Sequence, residues 1–202
     1  MATDTSARTA QILGQPPRLE PLPQDELSAE AMALIYRLRE IVSIPREAPV
    51  LPLLTTLCRN TDFFLAFMEM GMLFMTASSL PARDRELAIL RTGWPCGAPY
   101  EWGEHVASAR RKGVTGEDIE RVVQGSQAAG LADHDRAILR AVEELHADAM
   151  VSDATWAALA RRLDEKQLIE LLMLIGHYHK VAFLQNSLRF RPREGNAGLS
   201  AR

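Results

Sequence analysis

Cysteine is scarce: only Cys58 and Cys96 stand in 202 residues, far apart and with no Cys-x-x-Cys. That excludes a disulfide framework and fits a reducing compartment, so a cytoplasmic location is expected. Basic excess is also missing. Lys and Arg number 23 against 26 Asp and Glu, a net charge of -3. A nucleic-acid binder would carry a basic face or stripe, so nucleic acid is not an expected partner. Long apolar runs are absent as well. "FFLAFMEMGMLFM" (63–75) is interrupted by Glu69 and falls short of the roughly 20 residues that span a bilayer. It is expected to be a buried helix, and no membrane partner is expected. Residues 1–17 hold no apolar stretch of signal-peptide length. No segment sustains period-two alternation, which excludes a sheet protein. Neither H-x-x-x-H nor H-E-x-x-H occurs, so neither a metal nor any other cofactor is expected.

What is present is an ordinary globular balance, 47% apolar and 24% charged. Helix signals recur along most of the chain. Ser28 is placed to cap "AEAMALIYRLREIV", and Thr61 or Asp62 to cap the Met-rich run. Pro99 suits a first helical position. "TGED" (115–118) reads as a capping box. Ser152 and Asp164 precede two further helices, and the stretch from Leu168 to Ile175 is apolar nearly all round. The expected fold is all-α, a single compact helical domain of about eight helices over residues 25–190. Residues 1–24 carry Pro16, Pro17, Pro21 and Pro23 and are expected to form an extended or disordered arm. Residues 191–202 are expected to be a flexible tail.

The chemistry concentrates in "PCGAPYEWGEHV" (95–106). With Pro99 at the helix start, Glu101 lies in the first turn and His105 one turn on, on the same face. The helix dipole favours the carboxylate there and disfavours a protonated imidazole. A carboxylate beside a largely neutral His suits proton transfer near neutral pH. The plain alternative is a polar helix start facing water. Tyr100 can join as a proton donor. Trp94 and Trp102 flank the motif and suit a pocket wall, as do the methionines of 68–75, which otherwise fill core. His177 and His179 point about 200° apart on one helix, so only one can face a given pocket. His177, which follows the apolar run, is the candidate to line it.

"LPARDRELAILRTGW" (80–94) and "PYEWGEHVASARRKGVTGEDI" (99–119) resemble the carboxymuconolactone decarboxylase family, which includes the thiol-dependent alkylhydroperoxidases. The resemblance covers residues 60–125 well and 133–190 more loosely. The hydroperoxidase pattern, Glu, eleven residues, then Cys-x-x-Cys-x-x-x-His, falls on Glu86, Ala98, Glu101 and His105. Both cysteines are absent. The decarboxylase branch, with "PYE…H" at the helix start, is the better match. The resemblance implies an alkylhydroperoxidase-like helical fold, a trimer or hexamer, and Glu86 joining Glu101 and His105 in one site. Without it, Glu86 reads equally well as a surface partner of Arg83 or Arg85.

Disulfide-forming peroxide reduction needs two nearby thiols, which Ala98 and Glu101 do not supply. Cys96 is at most a lone thiol. The expected function is therefore acid–base chemistry by Glu101, His105 and Glu86 on a small lactone, keto acid or related carbonyl compound. Tyr100, Trp102, Trp94 and His177 are the expected substrate contacts. The alternatives are a hydroperoxidase-type antioxidant and a non-catalytic binding or assembly protein that keeps the fold.

Overall fold

The computed structural model describes residues 4–202. The described residues form ten α-helices joined by turns and short 3-10 segments, with no strand. Among them no helix is long and apolar enough to cross a membrane. Their contacts divide into two compact units, Pro17–Ser78 and the remainder.

The unit from Pro17 to Ser78 holds α2 (Ala29–Ile41), α3 (Pro52–Leu57) and α4 (Thr61–Thr76). Ser28 caps α2 by accepting from the Ala31 amide at 3.1 Å. Asn60, rather than Thr61 or Asp62, caps α4. Ile35, Leu54, Phe64, Met68 and Met72 form the core; burying each such side chain contributes about 1.5–3 kcal/mol. The Met-rich helix is thus half core. Glu69, which interrupts its apolar run, faces water and pairs with Arg37.

The other unit contains α1 (Thr5–Leu13), α5 (Ala82–Gly93), α6 (Pro99–Arg111), α7 (Gly116–Gln124), α8 (Asp133–Asp148), α9 (Asp153–Leu159) and α10 (Glu165–Leu188). α5 is its centre and packs on α6, α8 and α10. The Thr115–Asp118 capping box starts α7, Ser152 caps α9, and Asp164 with Gln167 caps α10. α10 is less enclosed than its composition suggests. Leu168, Leu171, Leu174 and Ile175 are buried, but Ile169 and Met173 lie on an exposed face with Phe183 further along.

Two terminal expectations change. Residues 5–13, expected to lie in an extended arm, are helical because Asp4 accepts from the Ser6 and Ala7 amides. Arg8 then donates to the carbonyls of Cys96 and Gly97, and Ile12 is buried. Residues 1–3 of the arm lie outside the described residues. The C-terminal segment, expected to be flexible, follows α6. Asn196 donates to the Tyr100 carbonyl at 3.0 Å, and the Trp102 indole N–H donates to the Ala201 carbonyl at 3.0 Å. Gly103 makes room for this. A Cβ there would stand 1.8 Å from Asn196 Oδ1.

Candidate active site

Pro99 starts α6 and needs no amide partner there. One turn of helix sets Glu101 beneath His105, and Glu101 Oε1 lies 3.0 Å from His105 Nε2. Glu86 projects from α5, and its Oε2 lies 2.8 Å from His105 Nδ1. The imidazole is therefore held between two carboxylates, one on each nitrogen. Glu86 is 1% exposed. Its other oxygen accepts from Ser108 at 3.0 Å and pairs with Lys112. Glu101 Oε2 accepts from Gln185 of α10 at 2.6 Å. The Tyr178 ring stands edge-on to His105, with centroids 5.1 Å apart.

Electrostatics reverses one expectation. Burial alone would favour neutral His105. The Glu101 and Glu86 carboxylates outweigh it and hold the imidazolium up to about 10. His105 is charged near neutral pH, not largely neutral: the helix dipole is weaker than two carboxylates in contact. Burial likewise works against the Glu86 anion, yet His105 and Lys112 bring its carboxyl down to about 2. Glu86 does not pair with Arg83 or Arg85. Arg83 makes a two-pronged contact with Asp135, and Arg85 donates to the Leu80 carbonyl.

The expected substrate contacts have other surroundings. Trp102 is fully buried and tilted against Trp94, with centroids 4.7 Å apart. The Arg202 guanidinium lies over Trp94 at 5.3 Å. Burial pushes the Tyr100 hydroxyl up to about 12, with Glu104 adding to it ahead of Glu101. His177 is buried, and that burial lowers it to about 4, with Lys180 assisting and Glu101 opposing. Cys96 is half-buried, and burial raises its thiol to about 11 against a smaller pull from Arg8.

Sequence reading missed Ser108, Lys112, Gln185 and Tyr178. Ser108 lies one turn beyond His105 on α6 and Lys112 caps the end of that helix, a spacing that could have marked them. Gln185 and Tyr178 left no such signal. Also missed is the buried pair of Asp84 Oδ2 and His134 Nε2 at 2.8 Å, which ties α5 to α8.

Residues 61–144 match the family model described as the carboxymuconolactone decarboxylase family. The chain is similar to that family over 84 of its 202 residues. The matched segment carries no Cys-x-x-Cys pair. No curated protein matches it in sequence. Among solved structures, the fold is similar to an alkylhydroperoxidase core, an uncharacterized peroxidase-related protein from Ralstonia eutropha JMP134. The TM-score is 0.71 at 18% identity, covering 89% of this chain and 94% of that one. An uncharacterized peroxidase-related protein from Silicibacter sp. TM1040 gives 0.71 at 18%, over 90% and 96%. The debrominase Bmp8, solved with 2,3,4-tribromopyrrole, gives 0.70 at 14%, over 89% and 94%. These similarities establish the carboxymuconolactone decarboxylase-like fold, and no more than the fold.

Proposed function

We propose that this protein is a proton-transfer enzyme of the decarboxylase type, acting on a small lactone, keto acid or related carbonyl compound. The observation that carries the reading is His105 gripped on both ring nitrogens by Glu86 and Glu101. A charged imidazole so held is a fixed proton donor with a built-in route for reprotonation. In decarboxylation the C–C bond to the departing carboxylate breaks. Its electron pair passes into the adjacent carbonyl as an enolate. His105 supplies the proton that the enolate carbon needs, and Lys112, partly exposed and paired with Glu86, passes a replacement from solvent through Glu86. Tyr100, Trp94 and His177 remain the proposed substrate contacts, with the fully buried Trp102 backing Trp94.

The working unit in this reading is a homo-oligomer, a trimer or hexamer, in the cytoplasm. The exposed apolar face of α10 at Ile169, Met173 and Phe183 supports assembly. A thiol peroxidase is disfavoured because Ala98 and Glu101 occupy the two cysteine positions.

The test is carbon dioxide release from a panel of β-keto acids and carboxylated lactones, beside peroxide consumption with a dithiol reductant. Turnover of a panel member that His105→Ala abolishes supports the reading. Peroxide consumption with no turnover across the panel replaces it with the antioxidant reading. Neither activity in a folded protein favours a binding or assembly role.

A further inference from the structure

Away from the Glu86–His105–Glu101 site, three side chains with metal-binding atoms converge from three places in the sequence. Cys96 lies in the loop after α5, His146 in the last turn of α8, and His179 midway along α10. Cys96 Sγ and one nitrogen of each imidazole all lie within 4.8 Å of one another. His146 Nδ1 and His179 Nε2 are 3.0 Å apart, and the two rings stack. We propose that Cys96, His146 and His179 form a zinc-type metal site, with a fourth coordination position open to the adjoining pocket.

The geometry is close to what the ion requires. Zinc–nitrogen bonds of about 2.0–2.1 Å and zinc–sulfur bonds of about 2.3 Å place tetrahedral ligand atoms roughly 3.4–3.6 Å apart. The two nitrogens are nearly at that spacing, and the sulfur needs a shift on the order of 1 Å. His179 is already oriented. Its Nδ1–H donates to the Ile175 carbonyl at 2.9 Å, which leaves the Nε2 lone pair facing His146. A second hydrogen bond of this kind habitually fixes the tautomer of a metal-bound histidine. One thiolate with two imidazoles is a donor set for zinc or a similar divalent ion, not for magnesium or calcium. Arg91, whose charge reaches His146, is itself paired with Glu143 at 3.0 Å.

Both histidines line a pocket of roughly 370 Å³ with Leu145, Leu172, Gly176 and Phe183. At Gly176, on its wall, a Cβ would meet nothing within 4 Å. Three protein ligands and one exchangeable position are the pattern of a reactive zinc site rather than a closed structural one. The pocket suits a small ligand that places an oxygen or nitrogen on the metal and an apolar body against Leu172 and Phe183. No spacing motif announces the site, because its ligands are 50 and 33 residues apart along the chain, as the numbers 96, 146 and 179 show.

The test uses the full-length protein, stripped with chelator and titrated with zinc by calorimetry and with cobalt by absorption. The expected result is a single equivalent per chain, with a near-ultraviolet thiolate-to-cobalt band. Cys96→Ser should remove that band, and His179→Ala should weaken zinc binding by about tenfold or more. His146→Ala, at an exposed position, tests the site again should Cys96→Ser fail to fold. Cys58→Ser and His105→Ala should leave binding unchanged, which separates this site from the proton-transfer site. No zinc uptake, or uptake unaltered by His146→Ala and His179→Ala, overturns the proposal. A cobalt spectrum lacking the thiolate band overturns it equally, since Cys96 is then not a ligand.

Discussion

His105 Nδ1 and Glu86 Oε2 stand 2.8 Å apart across 19 residues of sequence, on two different helices. That contact turns a helical Glu–His pair into a carboxylate–imidazolium–carboxylate unit. It also determines how the site responds to pH.

Glu86→Gln should lower the His105 pKa toward the ordinary imidazole range, because one of the two opposing charges is gone while burial remains. Nuclear magnetic resonance titration of the His105 ring reads this directly. An unchanged titration would mean that Glu101 alone sustains the charge.

Stability should follow the same pair. His105 is raised to about 10, so its contribution is complete below the unfolded imidazole value near 6.5 and is lost as pH rises toward 10. Glu86 is lowered to about 2, so its contribution is present above about 4.5 and is lost as pH falls toward 2. The cluster therefore stabilises most between roughly pH 4.5 and 6.5. Denaturation midpoints across pH measure the window. In Glu86→Gln both flanks should flatten.

Kinetically, the proposed unit should not be additive. His105→Ala or Glu101→Gln should each cost about 10²- to 10⁴-fold in kcat/KM. The double variant should cost little more than the worse single change. Circular dichroism serves as the folding control. Near-normal rates in both single variants would return the motif to a polar helix start.

Gly103→Ala should release the C-terminal segment. The added methyl occupies the place of Asn196 Oδ1, whose amide also binds the Tyr100 carbonyl and Glu104. Each lost hydrogen bond costs about 0.5–1.5 kcal/mol, against a helix gain of up to about 1 kcal/mol for Ala over Gly. Net destabilisation of about 1–2 kcal/mol is expected from these two terms. Trypsin should then cleave faster at Arg193. Unchanged cleavage would mean that the segment tolerates the methyl.

Assembly should show in mass. Light scattering of the native chain is expected to give a multiple of 22.4 kDa. Ile169→Lys with Met173→Lys, one turn apart on exposed positions of α10, should shift it toward the monomer. A native mass of 22.4 kDa would remove the oligomer from the reading.

What the sequence determined by itself was local. Ser28, Thr115, Ser152 and Asp164 cap the helices they precede, because a cap bonds an amide only two or three residues away. The shared face of Glu101 and His105 follows from helical spacing, and Glu86 was legible only through a family pattern. Tertiary structure decided what those residues are. The charge on His105 depends on a carboxylate from α5 and on burial, and neither exists until the helices pack. Gln185 and Tyr178 reach the site from α10, 84 residues beyond Glu101 in the case of Gln185. The convergence of Cys96, His146 and His179 is of the same kind. Hydrogen bonds between near neighbours are written in spacing. Protonation states and ligand sets depend on distances between remote segments, and only the packed core sets those.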